Sequence, residues 1–221
     1  GLLDAVVAAT VLGRCIAPAP FLGTAVMAAV ALQEAGTPAQ RREWLPRIAA
    51  GSVRFGVAAT ELFSRRPGTG LRAEGGKLVG RSLLVIDAAS DAFLCPVDGG
   101  ALALVPRGAP GLRVERMETI DATRRFGELV AEGVSPEAWI GGEGSRAGAV
   151  RRMVAAGRVV VAADVLGASE CAIERSVAYA QQRVQFGRPI GSFQAVKHLC
   201  AGLLAALGPA TSLVWCAGPA F

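Results

Sequence analysis

Apolar positions along this chain fall into three regimes. From residue 1 to about 51 they come in blocks of helical length, Leu2 to Leu12 and Phe21 to Ala35, separated by Pro18 and Pro20. Gly36 stands where a helix C-cap is expected. Thr37-Pro38 then reads as an N-cap followed by proline at the first helical position. It opens a short helix through Arg41, Arg42 and Trp44 that Leu45-Pro46 should kink or end. From 52 to about 143 the apolar runs shorten to Val53–Thr60, Leu78–Ile86, Ala92–Val97, Ala101–Val105, Leu112–Met117 and Arg125–Val134, bounded by Gly, Pro and Asp. That spacing predicts an antiparallel sheet domain, a barrel or a sandwich, with loops at Ser64–Gly70 and Gly141–Ser145. Residues 145 to 186 return to a long helical pattern, with Met153, Val160, Ala163, Val165 and Ile173 among its apolar positions. A turn on Gly187, Pro189 and Gly191 leads to a second helix from about Phe193, making an antiparallel pair.

The fold class this predicts is α+β. An N-terminal helical segment (1–51) precedes a central antiparallel β domain (52–143) and part of a C-terminal helical bundle (144–221). One helix pair buries too little apolar surface to stand alone, so further helices are expected from additional sequence or from a partner chain.

Composition narrows the classes. Of the 221 residues 52% are hydrophobic and 19% charged, enough for a sizeable core and against disorder. The net charge of +5 suits an anionic cofactor or substrate, and equally a merely arginine-rich surface. No run of five or six like charges marks a nucleic-acid arm, so no nucleic-acid partner is expected. The five cysteines are scattered without a Cys-x-x-Cys, and His198 is the single histidine, so no metal site is expected. Such thiols fit a reducing, cytoplasmic setting. Asp4 and Arg14 interrupt the first apolar run, which has no basic flank, and it does not read as a signal peptide. Leu199 to Phe221 carries no charge over 23 positions, the length of a membrane span. Gly208-Pro209, Gly218-Pro219 and many alanines favour a buried bundle helix instead, and no membrane partner is expected.

The densest chemistry lies between Arg183 and His198. Arg183 and Phe186 are three apart, which predicts a shared face at a helix end. A guanidinium can fork onto phosphate oxygens, a phenyl ring can lie against adenine or flavin, and Gln185 can bond ribose or phosphate oxygens. Alternatively, Arg183 caps its own helix C-terminus and Phe186 is core. Both readings stay open on these residues alone. Asp164, amid Val and Ala, suits a hydrogen bond to a neighbouring helix; His198 reads as a packed or capping residue, and Glu170 and Glu174 as surface charges.

Tyr179-Ala-Gln-Gln-Arg-Val-Gln-Phe-Gly-Arg-Pro-Ile-Gly-Ser-Phe-Gln-Ala-Val-Lys-His198 closely resembles the C-terminal-domain signature of the flavin-dependent acyl-CoA dehydrogenases. Gln40 to Gly51 looks like the helix leading into that family's β domain. Ala59-Thr60-Glu61 falls where the family has a flavin-contacting Thr-Glu-Pro, and Asp121-Ala-Thr-Arg124 is similar to the Asp-x-Thr-Arg of many bacterial members. The resemblance covers nearly the whole chain as an interior piece of the family pattern, incomplete at both ends, which fits a truncated member or a member of a heteromeric complex. It implies an N-terminal helical domain, a β domain and a C-terminal four-helix bundle, in homodimers, homotetramers or heteromers. FAD would be the cofactor, and Arg183 and Phe186 would reach the FAD of a neighbouring subunit, helped by Gln185 and Gln194. Thr60 would sit by the flavin of its own subunit. The implied reaction is FAD-dependent α,β-dehydrogenation of an acyl-CoA thioester. A glutamate removes the α-proton, the β-hydride goes to flavin N5, and electrons pass on to an electron-transfer flavoprotein.

The chain departs from that pattern in places. Leu62 replaces the proline after Thr-Glu, and Ser64-Arg-Arg-Pro-Gly replaces a Gly-Ser-Asp whose serine serves the pyrophosphate, a role open to Ser64, Arg65 or Thr69. Leu84, Val85 and Ile86 stand where members often have Trp-Ile-Thr flanking the flavin. Most members carry the catalytic base downstream of the Arg-x-x-Phe motif; a minority carry a Glu on the preceding helix, about where Gly157 stands. No residue is therefore nominated as base. Two alternatives follow: a non-catalytic subunit of a heteromeric dehydrogenase that contributes to a partner's FAD site, and, from residues 199–221 alone, a helical membrane-associated protein.

Overall fold

The computed structural model describes residues 1–58, 69–142 and 144–221. Packing divides the chain into two compact units, Pro18–Gly157 on one hand and Gly1–Ala17 with Arg158–Phe221 on the other.

The first unit begins with a π-helical stretch, Phe21–Ala28, that runs into α2 (Ala29–Ala35). The sequence predicts one helix here; the widened turns accompany its docking on a strand. Thr24 Oγ1 accepts from the Phe55 amide at 2.9 Å and donates to the Phe55 carbonyl at 3.3 Å. Helix α3 (Pro38–Ala49) starts as expected. The Thr37 hydroxyl accepts from Gln40 N at 3.2 Å, and Gln40 Oε1 accepts from Thr37 N at 2.9 Å, a reciprocal capping box with proline at its opening. Gln40 also donates to the Trp139 carbonyl at 2.9 Å, which ties this cap to the end of the β region. Pro46 does not stop the helix, which continues to Ala49. Gly36 is extended (φ −64°, ψ 141°) rather than left-handed.

The strands are β1 (Phe55–Val57), β2 (Gly70–Glu74), β3 (Lys77–Val85), β4 (Ala92–Pro96), β5 (Leu102–Pro106), β6 (Leu112–Arg116), β7 (Gly127–Val134) and β8 (Ala138–Trp139). They form two four-stranded sheets, ordered β1-β4-β5-β8 and β2-β3-β7-β6. All named pairings are antiparallel except β1 with β4, which run parallel with Phe55 opposite Ala92. A single core joins residues of both sheets, Leu71, Leu78, Val85 and Leu129 from one and Phe93, Cys95, Ala103 and Val105 from the other. This is the face-to-face packing of a sandwich. Strand β4 is buried at every position, whereas β6 is largely exposed. That is why Ala92–Val97 reads as an unbroken apolar run and Leu112–Met117 as an alternating one.

The second unit is helical. Helix α1 (Leu2–Arg14) meets the C-terminal part of α4 (Ala147–Gln182) at a close backbone crossing. A Cβ on Gly13 would lie 1.9 Å from the Asp164 carbonyl oxygen, and one on Gly167 would lie 1.9 Å from that of Thr10. Neither position tolerates a side chain. The crossing is flanked by Arg14 and Glu174, whose NH2 and Oε2 atoms are 2.5 Å apart, with Glu170 at 4.0 Å. Glu170 and Glu174, read from the sequence as surface charges, are ion-pair partners of Arg14. Helix α5 (Gln194–Ala220) runs through Pro209 and Pro219. It reaches α1 near its C-terminus, where a Cβ on Gly218 would lie 3.4 Å from Leu3.

The expectation of a helix buried on all sides is corrected for α5. Leu199, Leu203, Leu204 and Leu213 are 52–73% exposed. The helix is long and apolar enough to cross a membrane, with mean hydropathy 1.7. Apart from Val214 and Gly218, which are buried near its C-terminus, most of its apolar surface has no cover within the described residues.

Candidate functional site

Helix α4 ends at Gln182, so Arg183 and Phe186 do not share a helical face. That expectation is corrected by a small hairpin. Val184–Gln185 (β9) pairs antiparallel with Arg188–Pro189 (β10), Gln185 opposite Arg188 and Val184 opposite Pro189. Arg183 N donates to the Tyr179 carbonyl at 2.8 Å, and the Arg183 carbonyl accepts from Ile190 N at 2.7 Å. These backbone bonds hold the hairpin against the helix end. Its two-residue connection is Phe186-Gly187, both with positive φ, +52° and +75°. Two left-handed residues make the primed turn that suits a tight hairpin. Glycine accepts that conformation freely, but phenylalanine there costs about 1–2 kcal/mol.

Phe186 is nevertheless 90% exposed, and Tyr179 and Val184 beside it are more than half exposed. A strained, solvent-facing ring adds little to the stability of the chain that carries it. Strain of this kind is kept where a partner or ligand uses the residue. Arg183 and Gln185 are exposed alongside it, and Gln194 is exposed at the first position of α5. The structure therefore gathers Arg183, Gln185 and Phe186 on one outward-facing arm, with Gln194 on the helix that follows. Thr60, Ser64 and Arg65 lie outside the described residues; Thr69 is half-buried just ahead of β2.

The end of β3 offers a different environment. The β3–β7 register shifts between Ser82 and Val85, and Leu84 adopts φ +53°. Val85 is fully buried in the sandwich core, and the backbone of Ile86 exchanges two 3.0 Å hydrogen bonds with Val57. No side chain in Leu84-Val85-Ile86 can donate a hydrogen bond. At Gly157 a Cβ would meet Met27 Sδ at 3.1 Å and Cγ at 3.3 Å. The thioether of Met27, itself 1% exposed, fills the space a side chain would need.

One buried acid escaped the sequence reading. Asp87 is 8% exposed, adopts φ +54° and accepts from Gly23 N at 2.8 Å. It borders a pocket of about 180 Å³ lined also by Pro20, Arg54, Ser90, Thr123 and Arg125. Burial pushes its carboxyl above the usual range, against the pull of the Gly23 amide and Arg124. Its only sequence signal was an acid directly after an apolar run. The nearby Asp121-Ala-Thr-Arg motif closes on itself. The Asp121 carboxylate accepts from Thr123 Oγ1 at 2.5 Å and Thr123 N at 2.9 Å, which hold it below the usual range.

The raised Asp87 pKa fixes a sign. A carboxyl that is harder to ionise when folded favours the native state below its unfolded pKa, and that contribution is lost as pH rises through the folded value. Asp87→Asn keeps the acceptor for Gly23 N and tolerates the left-handed backbone. The variant is expected to melt above the parent at pH 7, with the gap closing towards pH 3. Thermal melts across that range check this; an equal or lower melt at pH 7 contradicts it.

The family model described as "Acyl-CoA dehydrogenase, N-terminal domain" matches residues 1–52, and that described as "Acyl-CoA dehydrogenase, C-terminal domain" matches 147–220. The chain is 30% identical over 96% of its length to the acyl-CoA dehydrogenase IpdE2 of Mycobacterium tuberculosis, covering 55% of that protein. Among solved structures, a variant of the Tcur3481-Tcur3483 steroid ACAD superposes with TM-score 0.84 at 32% identity, over 98% of this chain and 60% of that one. The ChsE4-ChsE5 complex of Mycobacterium tuberculosis superposes with TM-score 0.79 at 30% identity, over 99% and 65%. The chain spans about half the length of the curated relatives it matches. With two models of one family together covering more than half of its residues, this chain belongs to the acyl-CoA dehydrogenases.

Proposed function

We propose that this chain is a subunit of an FAD-dependent acyl-CoA dehydrogenase whose hairpin serves the FAD of a neighbouring subunit. The observation that carries the reading is Phe186, strained, exposed and flanked by Arg183 and Gln185 at the tip of a braced turn. These residues fit one part of a flavin dinucleotide. A guanidinium fork suits the pyrophosphate, a flat ring suits a base or the flavin, and amides suit ribose and phosphate oxygens. The end of β3 does not fit the flavin's N5, because Leu84, Val85 and Ile86 offer no side-chain donor.

FAD is the family's cofactor, and when bound it takes up the hydride removed from the substrate. Within that scheme Arg183 binds phosphate, Phe186 covers a ring face, and Gln185 and Gln194 orient polar oxygens. Thr60 belongs to the same reading as a flavin neighbour in its own subunit. The reaction is α,β-dehydrogenation of an acyl-CoA thioester to the 2-enoyl-CoA, with an electron-transfer flavoprotein as acceptor and a homo-oligomer or heteromer as the assembly.

A second reading is favoured by two observations. The β3 end lacks the polar flavin contact, and Met27 occupies the space beside Gly157. In it, the chain is the non-catalytic partner of a heteromer and lends its hairpin to the other subunit's FAD. The solved relative named as a ChsE4-ChsE5 complex, with two differently named components, supports such an assembly.

Purification alone and after co-expression with a second dehydrogenase subunit tests both. The flavin absorption bands and 2-enoyl-CoA formation from straight-chain and steroid side-chain acyl-CoA thioesters are the readouts. A yellow, active complex beside a colourless single chain supports the second reading. A yellow, active homo-oligomer selects the self-sufficient enzyme, and no flavin in either preparation overturns both.

A further inference from the structure

We propose that Arg188 and Phe193 are positioning residues that aim the Phe186 ring, an inference that rests on Phe186 being a FAD contact. The three side chains form a stack. The Phe186 and Phe193 rings meet edge to face, with centroids 6.0 Å apart and planes at 85°. The guanidinium carbon of Arg188 lies 4.1 Å from the Phe193 ring centroid. Edge-to-face contact is the favoured geometry of two quadrupolar rings, and a guanidinium over a ring face is attracted to the same quadrupole.

Each member is anchored by backbone. Arg188 sits opposite Gln185 in the hairpin ladder, one residue past the Phe186-Gly187 turn. Phe193 caps α5, and its amide donates to the Ile190 carbonyl at 3.1 Å. Phe186 alone is 90% exposed and left-handed, so its own backbone does not fix its ring. Without the stack the ring would sample several rotamers, and each binding event would have to order it again. With the stack in place, the ring is held before FAD arrives.

The test separates this arrangement from the reading beneath it. In the full chain without FAD, proton NMR of ring-labelled phenylalanine reports the ring-current shift within the Phe186–Phe193 pair. Arg188→Leu is expected to shrink that shift, and Phe193→Leu to abolish it. In the FAD-loaded assembly, Arg188→Leu is expected to weaken FAD binding about two- to fivefold, measured by flavin fluorescence, with Arg188→Lys between it and the parent. In a Phe186→Ala background Arg188→Leu should add nothing, because both act through one ring. An unchanged ring-current shift of the pair in Arg188→Leu overturns the proposal, as does an equal loss of FAD affinity with and without the Phe186 ring. If Phe186→Ala leaves FAD binding unchanged while the NMR effect persists, the FAD contact fails and the stack stands.

Discussion

Replacing Gly167 by valine is expected to destabilise the helical unit by about 3 kcal/mol or more, at or beyond the upper end of overpacking effects. A Cβ at this position lies 1.9 Å from the Thr10 carbonyl oxygen and 2.9 Å from Arg14 N. Both are backbone atoms of α1, so no rotamer change relieves the clash and the helices must part. Parting them also loosens Gly13 against Asp164 and pulls Arg14 away from Glu174. Gly202 on α5 is the control, since a Cβ there meets nothing within 4 Å. Gly202→Ala should stabilise by up to about 1 kcal/mol through helix propensity alone. Urea titrations followed by circular dichroism measure both, and a Gly167→Val midpoint equal to the parent's contradicts the close crossing.

Arg183→Ala is expected to lower FAD affinity of the loaded assembly about 10- to 100-fold while leaving the chain's own melting temperature within a degree or two. Hydrogen bonds to charged groups contribute about 1.5–3 kcal/mol, which sets that range. The hairpin is held through the Arg183 backbone, by bonds to Tyr179 and Ile190 that alanine or lysine at this position retains. Arg183→Lys keeps the charge without the fork and should recover only part of the loss. Equilibrium dialysis of FAD and thermal melts of the flavin-free chain separate the two effects. Unchanged FAD affinity, or a large drop in melting temperature without FAD, would assign Arg183 to the helix end instead.

Local chemistry was the part of the fold that could be read in advance. Thr37, Pro38 and Gln40 announce a helix start because each satisfies the first turn by a mechanism visible within four residues. The β strands announce themselves through Gly, Pro and Asp at their ends. Pairing partners do not, because the parallel contact of β1 with β4 depends on residues 37 positions apart. Pro46 was over-read as a break, since α3 runs on to Ala49. A proline removes one amide donor, which a helix already formed on both sides can lose. Nothing local in the sequence marks Gly13 and Gly167 as a helix crossing, since such a crossing leaves no local pattern.

At the candidate site, the Arg-x-x-Phe spacing was legible and its geometry was not. Three-residue spacing suggested one helical face, whereas Gly187 permits a primed turn that ends the helix at Gln182 and exposes Phe186. The contact with Phe193 joins residues on either side of that turn, and only the three-dimensional arrangement reveals it. Asp87 stayed hidden because its burial comes from Gly23 of a distant helix.

The most direct measurement is the structure of the FAD-loaded oligomer, solved with this chain in place. The account predicts the Arg183 guanidinium within hydrogen-bond distance of a FAD phosphate and the Phe186 ring in van der Waals contact with the cofactor, the FAD being held by the neighbouring subunit. A cofactor that touches neither residue, or that is reached only by the chain's own hairpin within one subunit, would contradict it.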